Sequence, residues 1–260
     1  MSVFKTYDVR GVWGQGVDLA LAYRIGRALP RHMNARTFLI GYDARVHSAE
    51  LYQALAAGLL DEGVDVTGAG LVSTPLLHYT QMNLRQQAAV MVTASHNPPE
   101  YHGFKFFDST GGSLSYDKGL SAVEKLVAGI TAPAAIPSRT FPTTDGLEKY
   151  AQFVAGSASG RKLSRKIVID ASNGSSGPEL RRLVQVMGQD AVLLNMEPDG
   201  TFPNHDPNPL KEKSRAQASA EVARQNAAFG VILDGDGDRI LFVDEAGRSI
   251  ENYFLAALVS

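Results

Sequence analysis

A chain of 260 residues with 44% hydrophobic and 20% charged residues can bury one large or two medium cores, which excludes disorder as its default state. A formal net charge of −2 supplies no polybasic field for nucleic acid or a membrane surface. The absence of cysteine excludes disulfides, thiolate catalysis and cysteine-ligated zinc or iron–sulfur centres. The opening "MSVFKTYDVRG" has no signal-like apolar run, and no stretch reaches 18 continuous apolar residues, so a cytoplasmic chain with no membrane span is expected.

In chain order, 36–43 reads as a strand ending in a polar loop. Residues 48–63 read as a helix, with Ser48 as its N-cap, Leu51, Leu55 and Leu59 at helical spacing, and Gly63 as its stop. A strand at 64–70, a short helix at 74–83 with Pro75 in its first turn, and an almost wholly apolar strand at 88–93 follow. Such apolar strands suit a sheet covered on both faces. The β-α-β-α-β order predicts an α/β layer architecture with a mostly parallel core. The proline-rich stretch 128–145 reads as a linker. The pattern then restarts: helix 145–156, strand 166–172, helix 179–188, strand 191–195, a long Pro- and Asn-rich loop, helix 214–227, and strands 229–234 and 239–247. Both halves place an aspartate, Asp43 or Asp170, after a strand and before a polar loop. An internal repeat and two ordinary βαβ units both fit that pattern.

Two motifs carry chemistry. In "LDGDGDRILFVD", Asp234, Asp236 and Asp238 alternate with glycines. Three carboxylates this close repel one another unless a cation neutralises them, and oxygen-only ligands select a hard cation, Mg²⁺ or Ca²⁺. The competing reading is a solvated acidic turn between strands. An EF-hand is excluded, because Arg239 stands where that loop needs glycine and both flanks read as strands. A guanidinium beside a cation suits a phosphate bound to both. The second motif is "TASHNPPEYHGFKFF", from Thr93 to Phe107. Ser95 there is either a cap in a proline turn or a reactive serine at the C-terminal end of a strand, where open α/β sheets bind ligands. In the second case His96 and Lys105 become its proton or charge partners.

Together these segments resemble the α-D-phosphohexomutase superfamily, which includes phosphomannomutase, phosphoglucomutase and phosphoglucosamine mutase. Thr93–Pro98 matches that family's phosphoserine loop, and "DGDGDR" (Asp234–Arg239) matches its metal loop. "YDVRG" resembles its N-terminal motif, with Arg10 as the arginine that contacts the active-site phosphate. "GYDARVHS" resembles a Gly-Arg-Asp-x-Arg segment with Tyr42 in place of arginine, and "PNHDPNPL" a further shared loop. Where the family often has Tyr-Asn-Gly, this chain has Tyr101-His102-Gly103, and His102 is left without a role.

The resemblance implies two consecutive three-layer α/β/α domains with mixed, mostly parallel sheets, the first half of a four-domain phosphohexomutase. Residues 1–140 would be domain I and 141–250 domain II, with the apolar run 251–260 opening a third. The family's later sugar-recognition and phosphate-clamp patterns do not occur in this sequence, so a truncated, poorly active portion is expected. The implied activity interconverts hexose 1-phosphate and 6-phosphate, of mannose, glucose or both, through a phosphoserine and a bisphosphorylated sugar. Mg²⁺ would be held by Asp234, Asp236, Asp238 and Ser95. Arg10 and Arg239 would stabilise charge on the transferring oxygens, and His96 would orient the phosphate or Ser95. Lys105 would act as general acid/base, its pKa lowered from about 10.4 by nearby cations. Phosphoglucosamine mutase, a non-catalytic sugar-phosphate or metal-binding module, and an aspartyl-phosphate phosphatase using Asp234 are the alternatives. Only a hexose phosphate partner is expected, with no nucleic acid and no membrane.

Overall fold

The structure, a computed structural model, describes residues 2–159, 161–251, 253, 254 and 257. They form two units: residues 2–94 with 99–146, and residues 95–98 with those from 147 onward. Among the described residues no helix is long and apolar enough to cross a membrane. The expected opening helix of a further domain, 251–260, lies largely outside the described residues; Tyr253 and Phe254 within it are exposed.

The first unit is built on a five-stranded sheet of order β1-β5-β4-β2-β3. Its strands are β1 (Val9–Val12), β2 (Thr37–Tyr42), β3 (Asp65–Leu71), β4 (Ala88–Val92) and β5 (Tyr101–Phe107). β2 pairs in parallel with β3 and β4, while β5 is antiparallel to β4 and β1. The sheet is mixed, with its parallel pairs around β2. Helices α1 (Leu19–Met33), α2 (Ser48–Asp61) and α4 (Leu120–Ala128) bury Ile25, Leu29, Leu51, Leu55, Leu59 and Val123 against Phe38, Ile40, Val90, Phe104 and Phe106. Each fully buried Phe or Leu contributes roughly 1.5–3 kcal/mol relative to exposure. Helix α3 (Thr74–Leu84) runs against β4 and β2. It starts as expected, with Pro75 in its first turn and Ser73 Oγ accepting from Leu76 N at 3.1 Å.

Two local expectations are corrected. Ser48 is not the N-cap of α2; that position is His47, and Ser48 Oγ instead donates to buried Asp43 at 2.6 Å. The stretch 128–145 is not a free tether. Ile130, Ile136 and Phe141 pack on the first core, and Gly68 exchanges backbone bonds with Pro142 O and Thr144 N. Apolar residues spaced among the prolines give that segment a surface to bury.

His102 has a structural place. It is buried, and its Nε2 accepts the His47 N–H at the start of α2 at 3.3 Å. His47 in turn stacks on Trp13, with centroids 4.1 Å apart. Burial, then the charges of Arg45 and His47, push the His102 pKa down to about 4. Its folded pKa lies below the unfolded value of about 6.5. The stability it contributes is therefore complete above that value and is lost as pH falls toward 4. Urea denaturation of the wild type between pH 7 and pH 4.5 should show this loss, on the order of 2–3 kcal/mol, and His102→Asn should flatten it.

The second unit repeats the plan. Its sheet has the order β10-β9-β8-β6-β7, with β6 (Ile167–Asp170), β7 (Ala191–Leu194), β8 (Gly230–Leu233), β9 (Ile240–Val243) and β10 (Ser249–Ile250). β6 is parallel to β7 and β8, and β9 is antiparallel to β8 and β10. Alternation sorts the strand residues to two faces. Val168, Ile232, Leu241 and Val243 meet Ala218 and Val222 of α7 (Glu212–Gln225). Ile167, Ile169, Val231 and Leu233 meet Leu180 and Val184 of α6 (Gly177–Met187), against which α5 (Leu147–Ser157) packs. In both sheets the chain leaves a central strand to one side and returns on the other. Four strands of each sheet share one order and set of directions, β3-β2-β4-β5 and β7-β6-β8-β9, while the outer strand differs: β1 opens the first unit and β10 closes the second. Asp43 and Asp170 follow the two central strands, at the switch points where α/β sheets bind ligands.

Candidate active site

The acidic loop follows β8 directly. Asp234 and Asp236 are fully buried, Asp238 is exposed, and one carboxylate oxygen of each lies within 4.8 Å of the others. Burial first, then the charges of Asp236 and Asp238, hold the Asp234 carboxyl well above the ordinary carboxylate range. Three convergent carboxylates, two of them removed from water, fit a hard divalent cation that would neutralise them. Gly237, at φ +72°, turns the backbone so that alternate residues converge. The Arg239 amide donates to Asp234 Oδ1 at 3.1 Å, and its side chain is exposed.

Ser95 belongs to this same unit. It is buried, and its Oγ donates to Asp234 Oδ2 at 2.6 Å. Its φ is +54°, a left-handed conformation that costs a non-glycine residue about 1–2 kcal/mol. Strain of this kind persists where surroundings over-determine it, commonly at functional sites. His96 Nδ1 stands 3.4 Å from Ser95 Oγ, at the long limit of a hydrogen bond. Gly235 lets the two loops approach: a Cβ there would stand 2.7 Å from Ser95 O. Gly235→Ala should keep the fold but push the serine backbone away. The measurable consequence is a drop of about 100-fold in any phosphoryl transfer through Ser95, followed by quenched-flow mass spectrometry.

Sequence reasoning missed the braces of the acidic loop. Ser172 Oγ donates to Leu233 O at 2.5 Å, and Ser175 N donates to Gly235 O at 3.0 Å. Behind them, Asp170 accepts from Ser172 N (2.8 Å) and Asn195 Nδ2 (3.0 Å), and Asp170 Oδ2 pairs with His205 Nε2 at 3.1 Å. Burial, the largest single influence, lowers the His205 pKa, but the bond to Asp170, the charge of Asp170 and the contacts with Asp206 together outweigh it and the pKa is raised. The available signal was "DASNGSSGP", a polar loop straight after a strand, paired with "PNHDPNPL", which carries His205.

Arg10 and Lys105 lie in the first unit, on the paired strands β1 and β5. Arg10 is opposite Gly103, and Lys105 is two residues along the same strand, opposite Met91. Both therefore share one sheet face, opposite to that of Val9, Phe104 and Phe106 in the core. Arg10 forms an ion pair with Asp8.

Two mixed-sheet α/β domains in series, the second with a serine hydrogen-bonded to a three-aspartate loop, define a narrow class of protein. The family model for phosphoglucomutase/phosphomannomutase α/β/α domain I matches residues 1–133, and that for domain II matches residues 147–247. The chain belongs to the phosphoglucomutase/phosphomannomutase family. Phosphohexose mutases of Xanthomonas campestris pv. campestris (strain B100) are 35% identical over all of this chain and 58% of their own length. The phosphomannomutase of Salmonella typhimurium is 34% identical over all of this chain and 59% of its own. A crystal structure of a phosphoglucomutase/phosphomannomutase family protein from Burkholderia thailandensis superposes with a TM-score of 0.86 at 32% identity. It covers 99% of this chain and 58% of its own. The chain thus spans somewhat over half the length of the relatives it matches.

Proposed function

We propose that this chain carries the phosphoserine and cation-binding half of a phosphohexomutase that interconverts hexose 1-phosphates and 6-phosphates of mannose, glucose or both. The observation that carries the reading is the 2.6 Å hydrogen bond from Ser95 Oγ to Asp234 Oδ2, made by a serine in a left-handed backbone. A serine that only capped a turn would not need a buried carboxylate cluster beside it. Mg²⁺ held by Asp234, Asp236 and Asp238, with Ser95 Oγ as a further ligand, would supply charge neutralisation and Lewis acidity at the phosphorus.

The chain's own groups do the rest. Ser95, phosphorylated, gives its phosphoryl group to a free hydroxyl of the hexose phosphate. The phosphorus–Oγ bond breaks, a phosphorus–oxygen bond to the sugar forms, and Lys105 takes the hydroxyl proton and returns it to Ser95 Oγ. The resulting bisphosphate turns over and gives its other phosphate back to Ser95. Arg10 and Arg239 hold charge on the transferring oxygens, where fixed cations favour the transition state. His96 orients Ser95.

A burst experiment tests this. Mixing the phosphorylated chain with glucose 6-phosphate or mannose 6-phosphate and Mg²⁺ should yield close to one equivalent of bisphosphate per chain, with slow turnover afterward. No bisphosphate with either sugar would remove the phosphotransfer reading. Fast sustained turnover would remove the expectation that this portion is poorly active alone.

A further inference from the structure

The sequence leaves Asp43 and Arg45 as part of a resemblance with no task. Both are buried, Arg45 with its side chain fully so, and their carboxylate and guanidinium meet at 3.1 Å. An ion pair buried this deeply is weak evidence for stability, because desolvating two charges offsets most of their attraction. What it holds is more telling. Asp43 Oδ2 accepts from Thr93 Oγ1 at 2.7 Å, and Arg45 Nη1 donates to Tyr101 O at 2.9 Å. Thr93 and Tyr101 are the two ends of the loop that carries Ser95. The other carboxylate oxygen, Asp43 Oδ1, accepts from Ser48 Oγ at 2.6 Å and Arg45 N at 3.1 Å, which fixes the pair to the start of α2. Immediately beyond Tyr101, His102 takes the His47 amide at the same helix start.

We propose that the Asp43–Arg45 pair is a positioning device that ties both ends of the serine loop to the N-terminus of α2 and so maintains the left-handed backbone at Ser95. The proposal rests on the phosphoserine reading for its catalytic consequence but not for its structural one. A loop with only its backbone ladder at each end could relax to the extended or right-handed conformations that serine prefers. Two charged groups, each bonded to one loop end and to each other, remove that freedom. The pair acts through Thr93 and Tyr101, and is assigned no contact with a substrate.

The test uses the full chain and three readouts: amide hydrogen exchange of residues 94–100, the rate at which glucose 1,6-bisphosphate with Mg²⁺ phosphorylates Ser95, and the thermal midpoint. Thr93→Val keeps the side chain's shape and removes the hydroxyl donor. It should speed exchange in the loop by about 10-fold or more and slow phosphorylation by about 10–100-fold. Thr93→Ser, which keeps the hydroxyl, should restore both. Ser48→Ala removes one of the two bonds that fix the pair to α2 while Arg45 N keeps the other, so it should lower the midpoint and speed loop exchange clearly less than Thr93→Val. If Thr93→Val does not fold, Arg45→Lys keeps the charge, loses the bond to Tyr101 O, and should give the same pattern. Wild-type exchange in Thr93→Val, failure of Thr93→Ser to restore it, or equal loosening by Ser48→Ala would each overturn the proposal. Absence of phosphorylation in the wild type would instead overturn the phosphoserine reading, and exchange alone would then decide the clamp.

Discussion

Asp236→Asn should abolish the Mg²⁺-induced rise in melting temperature and, in EDTA, make the protein more stable than wild type. The two signs have one cause. Asp236 is fully buried within 4.8 Å of two other carboxylates. Without a cation their repulsion destabilises the folded state, and deleting one charge relieves it. With a cation, the same charge supplies binding energy. At Mg²⁺ about 100-fold above its dissociation constant, binding to the folded state alone adds about 2.7 kcal/mol, roughly 5–10 °C for a chain of this size. The pH dependence follows the same logic. Asp234 keeps its proton to higher pH folded than unfolded, its pKa pushed up toward 8 by burial and its neighbours. In EDTA its contribution to stability is thus largest below the ordinary carboxylate pKa and falls as pH rises toward 8. Saturating Mg²⁺ should erase that slope. Differential scanning fluorimetry across pH, with and without Mg²⁺, reads all of this. Equal Mg²⁺ shifts in wild type and Asp236→Asn would remove the cation site.

Ser95→Ala should abolish phosphoryl uptake from a hexose bisphosphate and leave the chain folded. In a preparation with mutase turnover, the loss should be about 10⁴-fold or more, as expected when a covalent carrier is deleted rather than misplaced. The methyl side chain cannot accept the group, while the left-handed backbone and the Gly235 approach stay available. The variant also separates readings: a phosphatase using Asp234 as nucleophile needs no Ser95. A coupled assay against both sugars checks it, and wild-type turnover would end the assignment.

Much of the fold was legible because its signals were local. The apolar run 88–93 suited a strand covered on both faces, and Pro75 marked the first turn of α3. Helix α1 went unread although its signals were present: Asp18 caps it by accepting from Leu21 N, and Asn34 ends it in the left-handed region. Pro30 inside it breaks the expected pattern. β5 was hidden by chemistry, since "YHGFKFF" was read for the roles of its residues rather than for the alternation that puts Phe104 and Phe106 in the core. The acidic loop and Ser95 were legible as residue types. Their 2.6 Å contact, across 139 residues of chain, was not. Neither were the braces at Ser172 and Ser175, because a hydrogen bond to a backbone carbonyl leaves no mark in a sequence beyond a small polar residue, nor the distant Asn195 and His205 that Asp170 accepts from. Asp43 and Arg45 were visible as a motif, and only the geometry gives them loop ends to hold.

The most direct test of the central claim is to locate the phosphate. The chain should be incubated with glucose 1,6-bisphosphate and Mg²⁺, then mapped by peptide mass spectrometry. One phosphoryl group is expected on Ser95, stable to hydroxylamine and absent when EDTA replaces Mg²⁺. A hydroxylamine-labile group on Asp234, or no phosphorylation at all, would contradict it.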